Sequence, residues 1–200
     1  MLRLRGVLGV VSVLVAIAAT GCGDGEDGDG GPVTAPSFAT ELPSGWSEGD
    51  DDDLEFTEES AKQGAASALG VSADELSIEA EAVWFGPETE DGFKTNVNVL
   101  AEAIPPSLDE AAYIEASLGN LEGIPGVEEF ERRAGPDLGG EETEEIEYSS
   151  LAQGETLRFR ALTLVRDETG FTVTLTASED AFEEASADLD EITASWEWED

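Results

Sequence analysis

Apolar and polar residues alternate along several stretches of the chain, which is typical of β-strands that place one face on a hydrophobic core. The stretch from Ile78 to Trp84 alternates with glutamates, and Gly86-Pro87 is expected to end it. A second stretch runs over 93–101, with positions 95, 97, 99 and 101 inward and the asparagines on the other face. These patterns predict two strands in the middle of the chain.

The first and last thirds of the chain add further strands. Pro43–Trp46 is expected to form a turn after the first strand, and Asp167–Gly170 a hairpin turn between the last two. The two strands predicted before 155 have weaker alternation than the two after it. The predicted strands cover 37–42, 126–134, 142–151, 157–164 and 171–177.

Three stretches have apolar residues at the three- and four-residue spacing of amphipathic helices. Thr57 is expected to cap the first, and the capping boxes Ser72–Glu75 and Ser107–Glu110 begin a further turn and the second helix. The third is the terminal helix, with a break predicted near Asp188. The apolar stripes are Ala61, Ala65, Ala68 and Leu69; Ala111, Ile114, Leu118 and Leu121; and Phe182, Ala185, Leu189, Ile192 and Trp196. This order of elements predicts an α+β fold, an antiparallel sheet covered by helices.

The start of the chain resembles a bacterial lipoprotein signal. Arg3 and Arg5 form a basic start, and the apolar run Val7–Ala19 is too short to span a bilayer comfortably. Ala19-Thr-Gly-Cys22 resembles the lipobox, with Ala19 where that pattern prefers leucine. The resemblance implies cleavage after residue 21 and lipid attachment to the Cys22 thiol. An ordinary signal peptide with a chance cysteine is the alternative.

The sequence after Cys22 predicts a tether and then one domain. Residues 23–31 contain only glycine and acidic residues, so we expect 22–36 to form an acidic, Gly/Asp-rich tether. No register of this stretch matches an EF-hand calcium loop. The predicted organisation is therefore a signal peptide (1–21), a lipidated tether (22–36) and a single α+β domain (37–200).

The charge of the chain is strongly acidic. There are 47 acidic residues against 9 basic ones, which gives a formal charge of −38. Removal of Arg3 and Arg5 with the leader brings the mature chain to about −40. Such a surface repels phosphate backbones, so nucleic acid is excluded as an expected partner. Only Lys62 and Lys94 are lysines, a composition that fits either adaptation to high salt or a generic acidic exported protein.

Several motifs resemble those of PsbP-like domains. The turn Leu42-Pro-Ser-Gly-Trp46 is similar to the one after their first strand. Their strand-to-helix step resembles Thr95–Leu100 followed by Pro105–Glu110, and Gly170–Ala177 with Phe182 and Ile192–Ser195 resembles their last strand and closing helix. The match runs over 37–198 and implies an α-β-α sandwich, but no catalytic residues. The helical segment 57–76 departs from the plainest version of that fold.

The sequence predicts no enzymatic activity and no cofactor. The chain contains no histidine to activate its serines or threonines, and its one cysteine is assigned to the anchor. It has no Gly-x-Ser-x-Gly elbow. With 47 acidic residues, no carboxylate pair can be singled out for glycoside hydrolysis.

Two groups of charged residues are candidate binding sites. The arginines could bind a carboxylate or phosphate, although cross-strand ion pairs with Glu144, Glu145 or Glu147, each of small energetic value, are the favoured interpretation. The run Asp50, Asp51, Asp52 and Asp53 could bind a divalent cation as an acidic loop, although solvation is favoured. The candidate anion-binding residues are Arg132, Arg158, Arg160 and Arg166, with Arg133 beside the first.

The combined interpretation is a non-catalytic, lipid-anchored envelope protein with a binding or scaffolding role, associated with membrane lipid through Cys22. The alternative is a carrier of a small anionic ligand or divalent cation on the outer membrane face. A pocket lined by convergent polar groups would favour a carrier, and a flat, covered sheet would favour a scaffold.

We predict that the mature domain gains stability as salt is added. Like charges repel within a Debye length of roughly 10 Å at 0.1 M salt, and unfolding moves them apart. The melting temperature should rise with sodium or potassium chloride alike, mostly by about 1 M, where the Debye length is roughly 3 Å. A melting temperature that is equal in low salt and 1 M salt would contradict this, and a response to micromolar calcium would instead indicate a site at 50–53.

Overall fold

A computed structural model describes residues 37–69, 72–88, 93–104, 111–115, 117, 127–152 and 155–199. Within these residues, seven strands form one antiparallel sheet in the order β2-β3-β4-β8-β7-β6-β5, and β1 pairs with β9. The strands are β1 (Phe38–Ala39), β2 (Ser47–Glu48), β3 (Ile78–Glu88), β4 (Lys94–Ala103), β5 (Val127–Ala134), β6 (Glu144–Ala152), β7 (Glu155–Arg166), β8 (Thr169–Ser178) and β9 (Glu197–Trp198). Helix α1 spans Asp51–Leu69 and helix α2 spans Phe182–Ala194, with short 3₁₀ turns at Ala73–Glu75 and Glu179–Ala181.

The sheet has a helix on each face, which confirms the predicted α+β class. On one face, α2 buries Phe182, Leu189 and Ile192 against the odd-numbered positions of β4 and β8 and against Leu162 and Leu164. On the other face, α1 places Ala61, Ala65 and Ala66 against Ile78 and Leu100. Alanines at these positions allow the helix to approach the sheet closely. A further cluster on this second face consists of Phe93, Ile146, Tyr148, Leu157 and Phe159.

Strand β3 does not end at Gly86-Pro87, contrary to the sequence prediction. It continues to Glu88 through a register shift between the pairs Phe85–Asn96 and Glu88–Lys94. A proline is tolerated at such an irregularity because no regular ladder hydrogen bond is required of it. A Cβ atom on Gly86 would lie 3.1 Å from the Trp46 ring, so glycine lets the indole pack directly on the strand.

The first helix begins earlier than predicted. Asp50 accepts hydrogen bonds from the backbone N–H groups of Asp52 and Asp53, and Asp53 accepts one from the N–H of Asp50. This reciprocal cap starts the helix at Asp51, whereas the prediction placed the cap at Thr57. Thr57 instead lies within α1 and donates to the carbonyl of Asp53.

The ends of the described domain are joined by an aromatic cluster. Phe38 of β1 stacks on Trp196 at 4.1 Å between ring centroids, and Trp198 donates from Nε1 to the carbonyl of Leu138 at 3.0 Å. The first strand is shorter than the predicted 37–42, because only two residues pair with β9. The last helix shows no break at Asp188 and is continuous to Ala194.

The other predicted elements are confirmed where the structure describes them. The strands predicted over 126–134 and 142–151 correspond to β5 and β6, and the Asp167–Gly170 turn joins β7 to β8. Residues 111–115 and 117 are helical. The Ser107–Glu110 capping box, Leu118, Leu121, the leader and the tether lie outside the described residues. Within the ranges described, no helix is long and apolar enough to cross a bilayer.

A carboxyl–phenol pair lies between the helical segment at 111–115 and the α1-side face of the sheet. The Tyr113 hydroxyl donates to Oε1 of Glu102 on β4, beside Gly170 of β8. Burial raises the pKa of the Glu102 carboxyl to about 7, although the hydrogen bond from Tyr113 acts to lower it. This carboxyl is therefore partly protonated at neutral pH.

We predict that Glu102 makes the fold less stable as pH rises through this range. Its folded pKa lies above the unfolded value of 4.5, so its favourable contribution is complete below about pH 4.5 and is lost as pH rises through about 7. At about 1.4 kcal/mol per pKa unit, the loss totals about 3 kcal/mol. Denaturant unfolding of the wild type and of Glu102→Gln between pH 4.5 and 8 should show the variant gaining relative stability with pH. A constant difference between the two proteins would contradict the prediction.

Candidate functional site

The four aspartates that the sequence places in an acidic loop, with cation binding as the less favoured interpretation, form the start of a helix instead. Asp51, Asp52 and Asp53 are the first turn of α1, and Asp50 is its cap. The carboxylates of Asp50 and Asp53 already accept backbone hydrogen bonds, and acidic residues at a helix N-terminus are stabilised by the helix dipole. The prediction of an acidic loop at this position is therefore wrong. Among the described residues, no group of three or more potential ligands is placed to hold a metal ion.

The candidate anion-binding arginines are each placed beside carboxylates. Arg132 contacts Glu144 and Glu115, and hydrogen bonds to these two residues raise the pKa of Arg132. The remaining pairs are Arg133 with Glu145 and Glu147, Arg158 with Glu147 and Glu179, Arg160 with Glu145 and Asp190, and Arg166 with Glu141 and Asp167. The expected cross-strand ion pairs with Glu144, Glu145 and Glu147 are present. An anion would have to displace a carboxylate at each arginine.

Arg160 differs from the other arginines because it is buried. Its side chain is 9% exposed and that of Glu145 is 3% exposed, with 2.9 Å between Nη2 and Oε2. From β7 it also donates to the carbonyl of Ser186 and contacts Asp190 on α2. Burial acts to lower the pKa of Arg160, but the hydrogen bonds that it donates to Glu145 and Asp190 outweigh burial, so the net direction is upward. The residue therefore ties the sheet to α2.

A cleft that no local sequence pattern predicts lies at one end of the sheet. It has a volume of about 540 Å³ and is open to solvent. It forms where β3 ends, β4 begins and β8 leads into α2, with Trp46 on one side. Its lining residues are Trp46, Pro87, Glu88, Thr95, Ser178, Asp180, Ala181, Glu184, Ala185 and Asp188.

The chemistry of the cleft combines an aromatic ring, hydroxyl groups and carboxylates. Trp46 donates from Nε1 to Oδ2 of Asp188 at 2.8 Å, which fixes the carboxylate relative to the indole. Thr95 is 4% exposed and Ser178 is 8% exposed. Neither hydroxyl has a side-chain hydrogen bond in the part of the chain that the structure describes. These two groups are therefore available to a molecule that enters the cleft.

The composition of the lining limits what this cleft can do chemically. Four carboxylates line it and no lysine or arginine among the described residues does, so its potential is negative. Within the described ranges, no base is hydrogen-bonded to the hydroxyls of Thr95 and Ser178, so no described residue activates them as nucleophiles. The arrangement is suited to binding.

Part of this site has a signal in the sequence. Asp180, Glu184 and Asp188 follow one another at four-residue spacing, which places them on one stripe of a helical segment. That polar stripe lies beside the apolar stripe used to predict the terminal helix. The sequence pattern places Trp46 only in a predicted turn. The contact between Trp46 and this polar stripe joins residues about 140 positions apart in the sequence, so no local pattern indicates it.

We predict that Arg160 contributes far more to the free energy of unfolding than the exposed arginines do. From the sequence alone, a small stabilising energy is expected for every arginine–glutamate pair, and burial makes the Arg160 pair an exception. Removal of one partner from a buried ion pair costs about 3–5 kcal/mol, and exposed pairs are worth about 0–1 kcal/mol. We expect about 3 kcal/mol for Arg160→Met, because Arg133 still contacts Glu145. Urea unfolding should show this loss, with the control Arg132→Met costing under about 1 kcal/mol.

A double substitution distinguishes two causes of the stability loss in Arg160→Met, the burial of a poorly compensated carboxylate and the loss of side-chain packing. Arg160→Met combined with Glu145→Gln should be more stable than Arg160→Met, because the buried carboxylate, which keeps only the half-exposed Arg133 in the single variant, is replaced by a neutral amide. Equal losses in the Arg160→Met and Arg132→Met proteins would show that the buried pair has no special role.

Comparisons with known proteins find similarity in structure. No protein-family model matches the sequence, and no curated protein is similar to it in sequence. LpqN of Mycobacterium tuberculosis, which is described as involved in cell envelope biogenesis, superposes with a TM-score of 0.53 at 14% identity. The superposition covers 86% of this chain and 87% of LpqN, and it shows that the two have the same fold.

Two other solved structures are similar to a lesser degree. CyanoP, the PsbP protein of Synechocystis sp. PCC 6803, has a TM-score of 0.48 at 16% identity, covering 88% of this chain and 98% of its own. PA94 of Pseudomonas aeruginosa, a protein of unknown function, has a TM-score of 0.48 at 18% identity, with coverages of 58% and 78%. A PsbP protein is thus among the structures that this chain resembles.

Proposed function

We propose that this protein is a lipid-anchored, extracytoplasmic, non-catalytic binding protein that holds a small molecule in the cleft at the start of α2. The observation that carries the proposal is a solvent-open cleft of about 540 Å³ lined by two buried residues, Thr95 and Ser178, whose hydroxyls make no side-chain hydrogen bond to any described residue. Clefts of about 300–1,000 Å³ with a few convergent polar groups are typical of small-molecule sites.

The anchor rests on the sequence around Cys22. A basic start, a 13-residue apolar run and small residues before the chain's only cysteine resemble the lipoprotein signal. Two or three acyl chains hold a protein firmly on a membrane, whereas one chain binds marginally. An envelope location also accords with LpqN, which has the same fold and is described as acting in cell envelope biogenesis.

A non-catalytic role is supported by the chemistry of the chain. No histidine is present in the sequence, and the one cysteine precedes the tether. Thr95 and Ser178 have no general base within hydrogen-bond reach among the described residues. A hydroxyl without such a partner is a binding group.

The alternative of an anion carrier is less well supported than the cleft. The five arginines of the domain are engaged by carboxylates, and four carboxylates line the cleft. A purely scaffolding role was expected for a flat, covered sheet, and it does not account for the solvent-open cleft. We therefore favour ligand binding over both.

We predict that Cys22 is the anchor. In the native host, mass spectrometry of the mature N-terminus should show a chain that begins at an acylated Cys22. Cys22→Ser should shift the protein from the membrane fraction to the soluble or secreted fraction, because its lipid would be lost. The matched control Ser12→Ala, a small change in the leader outside the Ala19–Cys22 motif, should leave membrane association unchanged. A free Cys22 thiol, or a serine variant that remains in the membrane, would contradict the anchor.

A further inference from the structure

We infer that the cleft selects an organic cation, a protonated amine or quaternary ammonium group carried on a compact uncharged body. This inference rests on the proposed binding function and deepens it. It is carried by three features that meet in one cavity: the Trp46 indole, the carboxylates of Glu184 and Asp188, and the unengaged hydroxyls of Thr95 and Ser178.

The carboxylates provide the charge preference. Glu88, Asp180, Glu184 and Asp188 line the cavity, and none of them is in an ion pair within the described residues. By contrast, Glu145, Glu147 and Asp190 are occupied by arginines. The lining carboxylates are therefore free to meet a cation from outside the protein.

Trp46 makes an organic cation a better ligand than a bare metal ion. An indole surface attracts ammonium groups through its quadrupole, and tryptophan is the most effective of the aromatic side chains. The hydrogen bond from Nε1 to Asp188 holds one carboxylate at the edge of that ring. A weakly hydrated ammonium group contacts ring and carboxylate together, whereas a small hydrated metal ion requires a set of several oxygen ligands at short distance.

The hydroxyls and alanines indicate where the rest of the ligand lies. Thr95 and Ser178 are more than nine-tenths buried, line the cavity and each offer a hydroxyl that can donate and accept. Ala181, Ala185 and Pro87 supply small apolar contacts. The site thus fits a molecule with a cationic head, a short apolar stretch and a hydroxyl or carbonyl group.

Three probes of nearly identical shape test the charge preference. Choline is the cation, 3,3-dimethylbutan-1-ol is its neutral isostere, and 3,3-dimethylbutanoate is the anionic analogue. Each is titrated into ¹⁵N-labelled full-length protein in non-ionic detergent at a fixed ionic strength of about 0.15 M, which screens the general field of the acidic surface. The indole N–H signals of Trp46, Trp84, Trp196 and Trp198 are followed, with Trp46→Phe used for assignment.

We expect choline to shift the Trp46 signal while the other three indole signals stay in place. Its affinity should be at least tenfold higher than that of the neutral isostere, with no detectable binding of the anion. Asp188→Asn and Glu184→Gln should each weaken choline binding about fivefold or more, through loss of one charge beside the ligand. The asparagine can still accept the indole hydrogen bond, so the fold is retained.

Glu183→Gln is the matched control. Glu183 neighbours Glu184 on α2 and is exposed, but it does not line the cleft. Its substitution removes the same charge from the same helix and should change choline affinity by less than twofold. An equal effect of Glu183→Gln and Glu184→Gln would mean general attraction to an acidic surface, and would overturn the inference.

The remaining outcomes separate the inference from the proposed function. Equal binding of choline and the neutral isostere at Trp46 would overturn cation selection and leave a binding cleft in place. Preferential binding of the anion would also overturn it. Failure of all three probes to shift Trp46 at 50 mM would count against both the cation preference and the cleft as a ligand site, whereas the Cys22 experiment tests the anchor independently.

Discussion

Strand β8 lies at the centre of the sheet and is buried along its whole length, on both faces. This double burial is the constraint on which the other packing depends, because each face of the strand requires its own cover. The face with Phe171, Val173 and Leu175 is covered by α2. The opposite face presents Thr172, Thr174 and Thr176, so the interior there contains hydroxyls as well as apolar groups. Threonine suits such a position, since its β-branched side chain packs well on a pleated surface.

The few arginines of this acidic chain act as internal connections. Arg158 and Arg166 lie over the rings of Phe182 and Trp198 while they contact carboxylates, so each joins an aromatic side chain to a charged one. Arg160 joins β7 to β6 and α2. Among the described residues, the buried Glu102 pairs with Tyr113 rather than with a cation, and the carboxylates that line the cleft are in no ion pair. The arginine–carboxylate pairs thus connect elements within the domain, and the surface around them carries mainly negative charge.

The sequence predicted most of the regular structure correctly because local patterns determine it. The alternation over 157–164 and 171–177 and the Asp167–Gly170 turn are short-range signals, and the turn is confirmed with positive φ angles at Asp167 and Glu168. The errors lie where a local signal was ambiguous. Gly86-Pro87 is as compatible with a bulge as with a strand end, and both Asp50 and Thr57 are residues that cap helices.

The cleft was less predictable, because three separate parts of the chain form it. Trp46, Thr95 and Asp188 become neighbours only through the strand order β3-β4-β8, and no local pattern specifies that order. The ion pairs were easier to anticipate, since opposite charges on successive strands face each other whenever the strands are adjacent. The burial of Arg160 still required the structure, because it depends on where α2 crosses β7.

The pairing of β1 with β9 has a mechanical consequence. The chain enters the described domain at Ser37, whose carbonyl accepts a hydrogen bond from Glu199 at 2.8 Å, and the next residue pairs with Trp198. A pull on the preceding segment is therefore borne first by residues 197–199. The stack of Phe38 on Trp196 then passes the load to the end of α2 and the centre of the sheet. Without β9, tension on the incoming chain would act directly on β1, because β9 is the only described strand that pairs with it.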